Sequence, residues 1–294
     1  SQSLSYLKKL NGLETNHTRY SVKYLNSLVN SGNFKKAFDY SKKLEKKKLE
    51  TVESLLITGI FYLKNSNIDL AKKYFLKAKR KNSKFILTSY LSKSLFNWSN
   101  LVNYDLNQAT QELKKLDDRF ENLKKIQNVF LNCFFNTKET INIFDQLVNN
   151  KSIDFSRYNY FYASYVASSG DLNKAKKIIQ SALKTNPSNL LLNQYKINLD
   201  ENKNIFDFNC QKEEHVISEI LYITANAFSS QSIFPLSNFF LNLSKFLNED
   251  FYHYDTLLAE NFYKIDNLDR AKKIYKNLNE KGEAFSWYSS KQLA

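Results

Sequence analysis

The chain has 294 residues, of which 43% are hydrophobic and 15% aromatic, and this composition excludes an intrinsically disordered protein. With only 5 Gly and 2 Pro it lacks the turn residues of an all-β sandwich, and no run of 18 apolar residues predicts a membrane span. The formal net charge is +14, but 5 of the 43 basic residues are arginine, and this argues against a nucleic-acid partner because such proteins rely on arginine for bidentate contacts.

A 34-residue spacing organises the first part of the chain. Residues 1–17 predict a lone helix, over Leu4–Leu13, that is the remnant of a preceding repeat. Thr18 and Val52 then start two matching units, near 18–51 and 52–85, in which apolar residues at helical spacing precede a short turn and a second helix. Two weaker helix pairs follow, near 86–118 and 119–155, and the second of them has no turn glycine.

The clearest unit lies near 156–189. Ala163 and Ala175 are small residues that let two helices approach closely. Gly170 supplies the backbone freedom that the turn between the helices requires. Pro187 ends the second helix.

The remainder of the chain predicts a lone helix at 190–201 and a polar linker at 202–212. Two further units occupy 213–285, with frames that start at Ser218 and Tyr252, and a truncated helix begins at 286–294. A helical array needs polar caps at its termini, and neither end of the sequence provides one. The sequence is therefore expected to be a segment of a longer repeat array.

These small residues, turns and terminal proline at a 34-residue period resemble the tetratricopeptide family over about Leu4–Ala294. The resemblance implies an all-α fold, a right-handed α-solenoid of tetratricopeptide-type helix-turn-helix repeats with about seven helical pairs. The stretches Asn186–Asn189, Phe246–Phe251 and Trp287–Ala294 are similar, more narrowly, to a group of uncharacterised alphaproteobacterial tetratricopeptide proteins. Members of that group often begin with an export signal, which favours a periplasmic over a cytoplasmic location.

The resemblance also implies the surface that binds. In tetratricopeptide arrays, fixed positions of each first helix face a concave groove that holds a peptide or a partner surface. The function implied is a non-enzymatic protein-interaction scaffold. The alternative is that the same side chains only pack on a neighbouring helix. Here the groove positions are Arg19, Val22, Asn26, Asn30, Glu53, Leu56, Ile60, Lys64, Arg157, Tyr160 and Ser164.

A second functional hypothesis is an RNA-binding helical-repeat protein that uses the lysine-rich surface. A one-base-per-repeat code needs the same side-chain types at the same positions of each unit. The second and fifth positions differ from unit to unit, for example Arg19 and Val22 against Glu53 and Leu56, and this counts against such a code. Aromatic residues at helical spacing are also more typical of a core than of base stacking.

The sequence predicts no catalytic, cofactor or metal site. His17, His215 and His253 fall in different units, and none has a second ligand at metal-binding spacing. Cys133 and Cys210, 77 residues apart, are expected to be ordinary buried thiols. The adjacent carboxylates of Glu213 and Glu214, like those of Asp117 and Asp118, are expected on the solvated surface.

Overall fold

The computed structural model describes residues 2–9, 12–15, 17–81, 83, 85–203 and 207–294. Within these ranges all regular secondary structure is helical. The helices are α1 (Gln2–Lys9), α2 (Thr18–Val29), α3 (Phe34–Lys46), α4 (Val52–Lys64), α5 (Ile68–Arg80), α6 (Ile86–Trp98), α7 (Leu106–Lys114), α8 (Glu121–Phe134), α9 (Thr140–Val148), α10 (Tyr158–Ser168), α11 (Leu172–Thr185), α12 (Leu190–Asp200), α13 (Glu213–Ser230), α14 (Phe234–Leu247), α15 (His253–Lys264), α16 (Leu268–Leu278) and α17 (Glu283–Leu293).

The described helices form seven consecutive pairs: α2 with α3, α4 with α5, α6 with α7, α8 with α9, α10 with α11, α13 with α14, and α15 with α16. The predicted fold class, all-α and built from about seven helix-turn-helix pairs, is confirmed. Helices α2, α4 and α6 begin at residues 18, 52 and 86, where the 34-residue frame starts its units. No described helix combines the length and the apolar character that a membrane crossing requires.

Six of the seven pairs turn through the same backbone geometry. In the turn between α10 and α11, Gly170 N donates to Ala167 O at 3.0 Å and Asp171 N to Val166 O at 3.2 Å, the two bonds of a Schellman motif. The residue at the Gly170 position has a φ between 48° and 93° in all six turns. These residues are Gly32, Ser66, Asn136, Gly170, Ser232 and Asp266. Asn136 therefore replaces the glycine that the unit near 119–155 lacks.

Two compact units divide the chain. The first comprises Ser1–Asp117 with Ile217–Glu249, and the second Asp118–Val216 with Asp250–Ala294. In the first unit α4 and α5 pack closely, because a Cβ atom at Gly59 would lie only 2.5 Å from the ring of Phe75. This pair consequently depends on a residue without a side chain.

The second unit has a core rich in aromatic rings. Phe130, Phe144 and Phe161 are buried on α8, α9 and α10, and Phe251 is buried with them. Ala163 and Ala175, the small residues predicted at helix crossings, are both 0% exposed. The core of this unit therefore combines large rings with small residues where helices approach each other.

The ends of the chain differ from the predicted bounds. Helix α1 ends at Lys9, and a short 3-10 helix follows at Leu13–Thr15, after Gly12 with its φ of 109°. The predicted helix over Leu4–Leu13 is therefore shorter, and its residues 10 and 11 lie outside the described residues. Helix α17 begins at Glu283, three residues before the predicted 286, directly after Gly282 with its φ of 146°.

Candidate functional site

The predicted groove positions of the first unit divide into exposed and buried side chains. Arg19 near the start of α2 is exposed, and Val22 and Glu53 are half-buried. Leu56 and Ile60 on α4 are both 0% exposed, and they pack in the interior of the unit. The predicted groove therefore presents no side chain to solvent at Leu56 and Ile60.

Helix α14 covers the rest of this face. It packs against both α2 and α4, although it lies far along the chain from them. Asn242 Nδ2 donates to Asn30 Oδ1 at 3.3 Å, and Lys64 Nζ lies 3.0 Å from Glu249 Oε1 just beyond the end of α14. The ring of Phe246 stacks on Phe34 with centroids 4.3 Å apart. Two predicted groove residues, Asn30 and Lys64, are thus in contact with a later segment of the chain itself.

Asn26 lies between the open and the covered parts of this face. It is half-buried on α2, and among the described atoms its Oδ1 is buried with no hydrogen-bond partner. A buried polar atom without a partner raises the free energy of the folded state.

A cavity of about 430 Å³ remains open at the N-terminal ends of α2 and α4. Arg19, Val22 and Glu53 all line it, so the structure brings together three residues that the resemblance placed in the groove. The sequence reasoning missed the other charged and aromatic residues of its wall. These residues are Lys23, Glu50, Lys81 and Phe85.

The wall of this cavity, which we call the α2/α4 cavity, carries charges of both signs. Arg19, Lys23 and Lys81 are cationic, and Glu50 and Glu53 are anionic, while Val22 and Phe85 supply apolar surface. Mixed charges around an apolar patch suit a polypeptide, which offers backbone polar groups and side chains of both kinds. Arg19 and Lys23 lie one turn apart on α2 and Lys81 follows α5, so the approach of Lys81 to the other two was not visible in a 34-residue frame.

In the second unit, a segment from the predicted linker lies over the predicted groove residues. Tyr160 on α10 is 1% exposed, and its hydroxyl donates to Asp207 Oδ1. The ring of Phe208 lies 4.6 Å from that of Phe161 and 5.5 Å from that of Phe130, between centroids. Ser164 is buried and Arg157 half-buried. Residues 204–206 of the predicted linker lie outside the described residues.

Cys133 and Cys210 form a disulfide, so the expectation of free thiols was wrong. Their Cα atoms lie 5.9 Å apart, a usual separation for a disulfide. The bond joins α8 to the segment that follows Phe208. A single pair of cysteines 77 residues apart carries no sequence signal of proximity, because only the fold brings the two positions together.

Several titratable groups of the second unit are removed from water. Burial raises the pKa of Asp207 to about 6, although the hydrogen bond from Tyr160 opposes the change. Burial and the neighbouring carboxylate of Glu214 raise the pKa of Glu213 to about 7. Glu213 is only 7% exposed, so its predicted place on the solvated surface was wrong. It lies in the first turn of α13, where the chain passes from the segment into the helix.

The three histidines lie in separate environments. His17 is exposed before α2, whereas His215 Nδ1 accepts a hydrogen bond from the backbone of Asn209 at 3.0 Å. Desolvation, with Arg157 nearby, holds the pKa of His253 well below its usual value. Within the described residues no three His, Cys, Asp or Glu side chains form a group that could hold a metal ion.

No protein-family model matches the sequence, and no curated protein is similar to it in sequence. Among solved structures, the APC/C hetero-tetramer Cut9-Hcn1 is 17% identical, with a TM-score of 0.34 and 99% of this chain covered. The IFIT1 monomeric mutant with Gppp-AAAA is 14% identical, with a TM-score of 0.29 and 96% covered. The chain spans 52% and 66% of those two chains. At these TM-scores the similarity carries no argument about function.

Proposed function

We propose that the protein is a non-enzymatic interaction scaffold that binds an extended peptide of a partner protein in the α2/α4 cavity. The observation that carries the proposal is the convergence of Arg19, Val22 and Glu53 on one open cavity. Cations and anions around an apolar patch can pair with a peptide's charged side chains, while Val22 and Phe85 bury an apolar one. The predicted groove residues Leu56, Ile60 and Tyr160 then stabilise the scaffold from inside.

The test is selection of peptides from a random library displayed on phage, with the oxidised full-length chain as bait. Selected peptides are then titrated against three variants. Val22→Asp places a charge on the apolar patch and Arg19→Glu reverses a wall charge, so each is expected to weaken binding at least tenfold. Lys36→Glu is the matched control, because Lys36 is exposed on α3 and lies outside the cavity wall. Equal affinity for wild type, Val22→Asp and Arg19→Glu would contradict the proposal.

RNA binding is the second candidate, and the three cations of the same cavity favour it. Phosphate contacts release counterions, so binding of single-stranded RNA would weaken steeply as salt rises. Titration of a labelled oligonucleotide with wild type and Lys23→Glu in increasing salt separates the candidates. A steep salt dependence that Lys23→Glu reduces would support RNA, whereas peptide binding, which also rests on the apolar contact of Val22, should depend less steeply on salt.

We further propose that the protein is bacterial and belongs to the alphaproteobacterial tetratricopeptide group, and that it is exported to the periplasm. The Cys133–Cys210 disulfide supports this location, because disulfides persist in the periplasm and are rare in the cytosol. Thiol labelling of the protein in intact cells of its host, before and after reduction, tests it. Labelling without prior reduction would indicate free thiols and overturn the proposal.

A further inference from the structure

Residues 207–211 lie in the second unit like a bound peptide. We call them the strap. Its Phe208 is 5% exposed and sits among the rings of Phe130, Phe161 and Phe251, at centroid distances from 4.6 to 6.2 Å. A phenylalanine buried in an aromatic pocket is the usual anchor of a bound polypeptide segment. The strap therefore shows that this aromatic pocket accepts a phenylalanine side chain.

The residue before Phe208 also makes a specific contact with the second unit. Asp207 is half-buried, and its carboxylate accepts a hydrogen bond from the hydroxyl of Tyr160 on α10. A carboxylate drawn partly out of water is destabilised unless a hydrogen-bond donor faces it. The face formed by α8 and α10 thus offers a phenol donor next to an aromatic pocket, an arrangement that fits an acidic residue followed by phenylalanine.

The strap does not fill this face. A cavity of about 330 Å³ lies beside it, lined by uncharged polar side chains that include Asn136, Ser164 and Ser168. Cys133 and Cys210 line the same cavity, so an incoming molecule has a path to the disulfide. We call the aromatic pocket, the Tyr160 hydroxyl and this cavity together the α8/α10 cleft.

We propose that the α8/α10 cleft is a second interaction surface, one that recognises an extended partner segment with an acidic residue followed by phenylalanine. The Cys133–Cys210 disulfide holds the strap on this surface, and its reduction allows a partner segment to compete with the strap. The proposal uses residues of the second unit alone, so it holds or fails independently of peptide binding in the α2/α4 cavity.

Opening the strap requires a dithiol reductant. One of its thiolates attacks Sγ of Cys210, which at 8% exposed is more accessible than Cys133 at 0%. A mixed disulfide forms and Cys133 leaves as a thiolate. The second thiol of the reductant then attacks the reductant's own sulfur in the mixed disulfide. The reductant leaves as an internal disulfide, and Cys210 is released as a thiolate. Two electrons pass to the cysteine pair, and both cysteines take up a proton.

Reduction alone leaves the strap tethered between α12 and α13, where its effective concentration is on the order of millimolar. A partner segment therefore competes with the strap rather than entering an empty cleft. The decisive variant is Phe208→Ala with Cys210→Ser, which removes both the anchor and the bond. The probe is a fluorescein-labelled pentapeptide with the strap sequence in which serine replaces cysteine.

Fluorescence anisotropy is expected to show at least tenfold tighter binding to this double variant than to the oxidised wild type, with the reduced wild type between them. Probes with alanine in place of phenylalanine, or asparagine in place of aspartate, should each bind the double variant at least tenfold more weakly. Val22→Asp, added to the double variant, should leave the affinity unchanged. Equal binding to the oxidised wild type and the double variant, equal binding of the control probes, or no binding by the folded double variant would overturn the proposal.

Circular dichroism shows whether the double variant folds. If it does not, the same titration uses Cys210→Ser alone, and hydrogen exchange of the strap amides supplies a second readout. Saturating probe should then speed the exchange of strap amides at least tenfold, because the probe displaces the strap. Unchanged exchange at saturating probe would overturn the proposal.

Discussion

In each compact unit a later segment of the chain covers a helix face, and the two covering segments differ. In the first unit, α14 covers the face formed by α2 and α4, and it brings its own backbone hydrogen bonds and a ring stacked on Phe34. In the second, the strap covers the face of α10, and it is fixed by a disulfide, one buried phenylalanine and one half-buried carboxylate. An extended segment buries less apolar area than a helix, and so it depends on covalent and polar contacts. Redox state, and pH near neutrality, should therefore affect the second unit and spare the first.

The largest difference should appear when the disulfide is removed. Replacing both Cys133 and Cys210 by serine is expected to cost about 4 kcal/mol, because the bond constrains a long loop of the unfolded chain. Hydrogen exchange read by mass spectrometry should show lost protection in α8 and α10 and unchanged protection in α4. Reduced wild type is the control and should match the variant. Equal losses in both units would break the comparison.

The helical cover of the first unit can be weakened in the same way. Phe246→Ala removes a half-buried ring that stacks on Phe34 and lies 6.1 Å from Phe61. The expected cost is about 2.5 kcal/mol, below the usual range for a fully buried phenylalanine. Urea unfolding measures it, with Phe246→Leu as the milder control. Faster hydrogen exchange in α14, with an unchanged exchange rate in the strap, would sharpen the comparison. Loss of protection in the strap would contradict it.

The two units should next differ in how their stability responds to pH near neutrality. The folded-state pKa of Glu213 is raised from 4.5 to about 7, so the folded protein holds this proton more tightly than the unfolded chain does. The stability that this provides is complete below pH 4.5 and is lost as pH rises through about 7. Glu213→Gln should therefore be about 2 kcal/mol more stable than wild type at pH 8 and similar to it at pH 4.5.

Thermal melts of Glu213→Gln and wild type between pH 4.5 and 8 test this expectation. Glu280→Gln is the matched control, because Glu280 is an exposed carboxylate of the same unit. A constant difference between Glu213→Gln and wild type at every pH would mean that packing, and not ionisation, sets the effect.

The smallest effect should be equal in the two units. Gly32 turns the first unit's α2/α3 pair and Gly170 the second unit's α10/α11 pair, both at positive φ and both with open space where a Cβ atom would lie. Gly→Ala at either position should cost about 1 kcal/mol, because alanine disfavours this conformation. Chemical unfolding of Gly32→Ala and Gly170→Ala measures both. A cost several times larger in one unit would show that its turns tolerate less strain than those of the other.

The sequence predicted the helices well because their signals are local. Apolar spacing and short polar turns placed unit starts at Thr18 and Val52, where α2 and α4 begin. The turn at Asn136 was harder to recognise, since its hydrogen bonds come from the backbone and do not require glycine. Helix bounds near the termini were the least accurate, as expected where neighbouring repeats do not fix them.

The candidate sites were predicted only in part, because they depend on contacts that are distant in sequence. A repeat frame indicates that Leu56 and Ile60 share a helix face, but it does not indicate what covers that face. The covering element is α14, which ends at Leu247. The backbone of Leu247, 183 residues after Lys64, accepts a hydrogen bond from Lys64. The approach of Cys133 to Cys210 and the burial of Glu213 likewise follow from tertiary packing alone.

The shared turn between paired helices has a consequence for how such a sequence can change over evolutionary time. Its two hydrogen bonds join backbone atoms, and glycine, serine, asparagine and aspartate all occupy its left-handed position in this one chain. Each exchange costs on the order of 1 kcal/mol, and a large helical array can offset that elsewhere. A lineage can therefore lose its glycine codons at these turns one by one while every hairpin of the array persists.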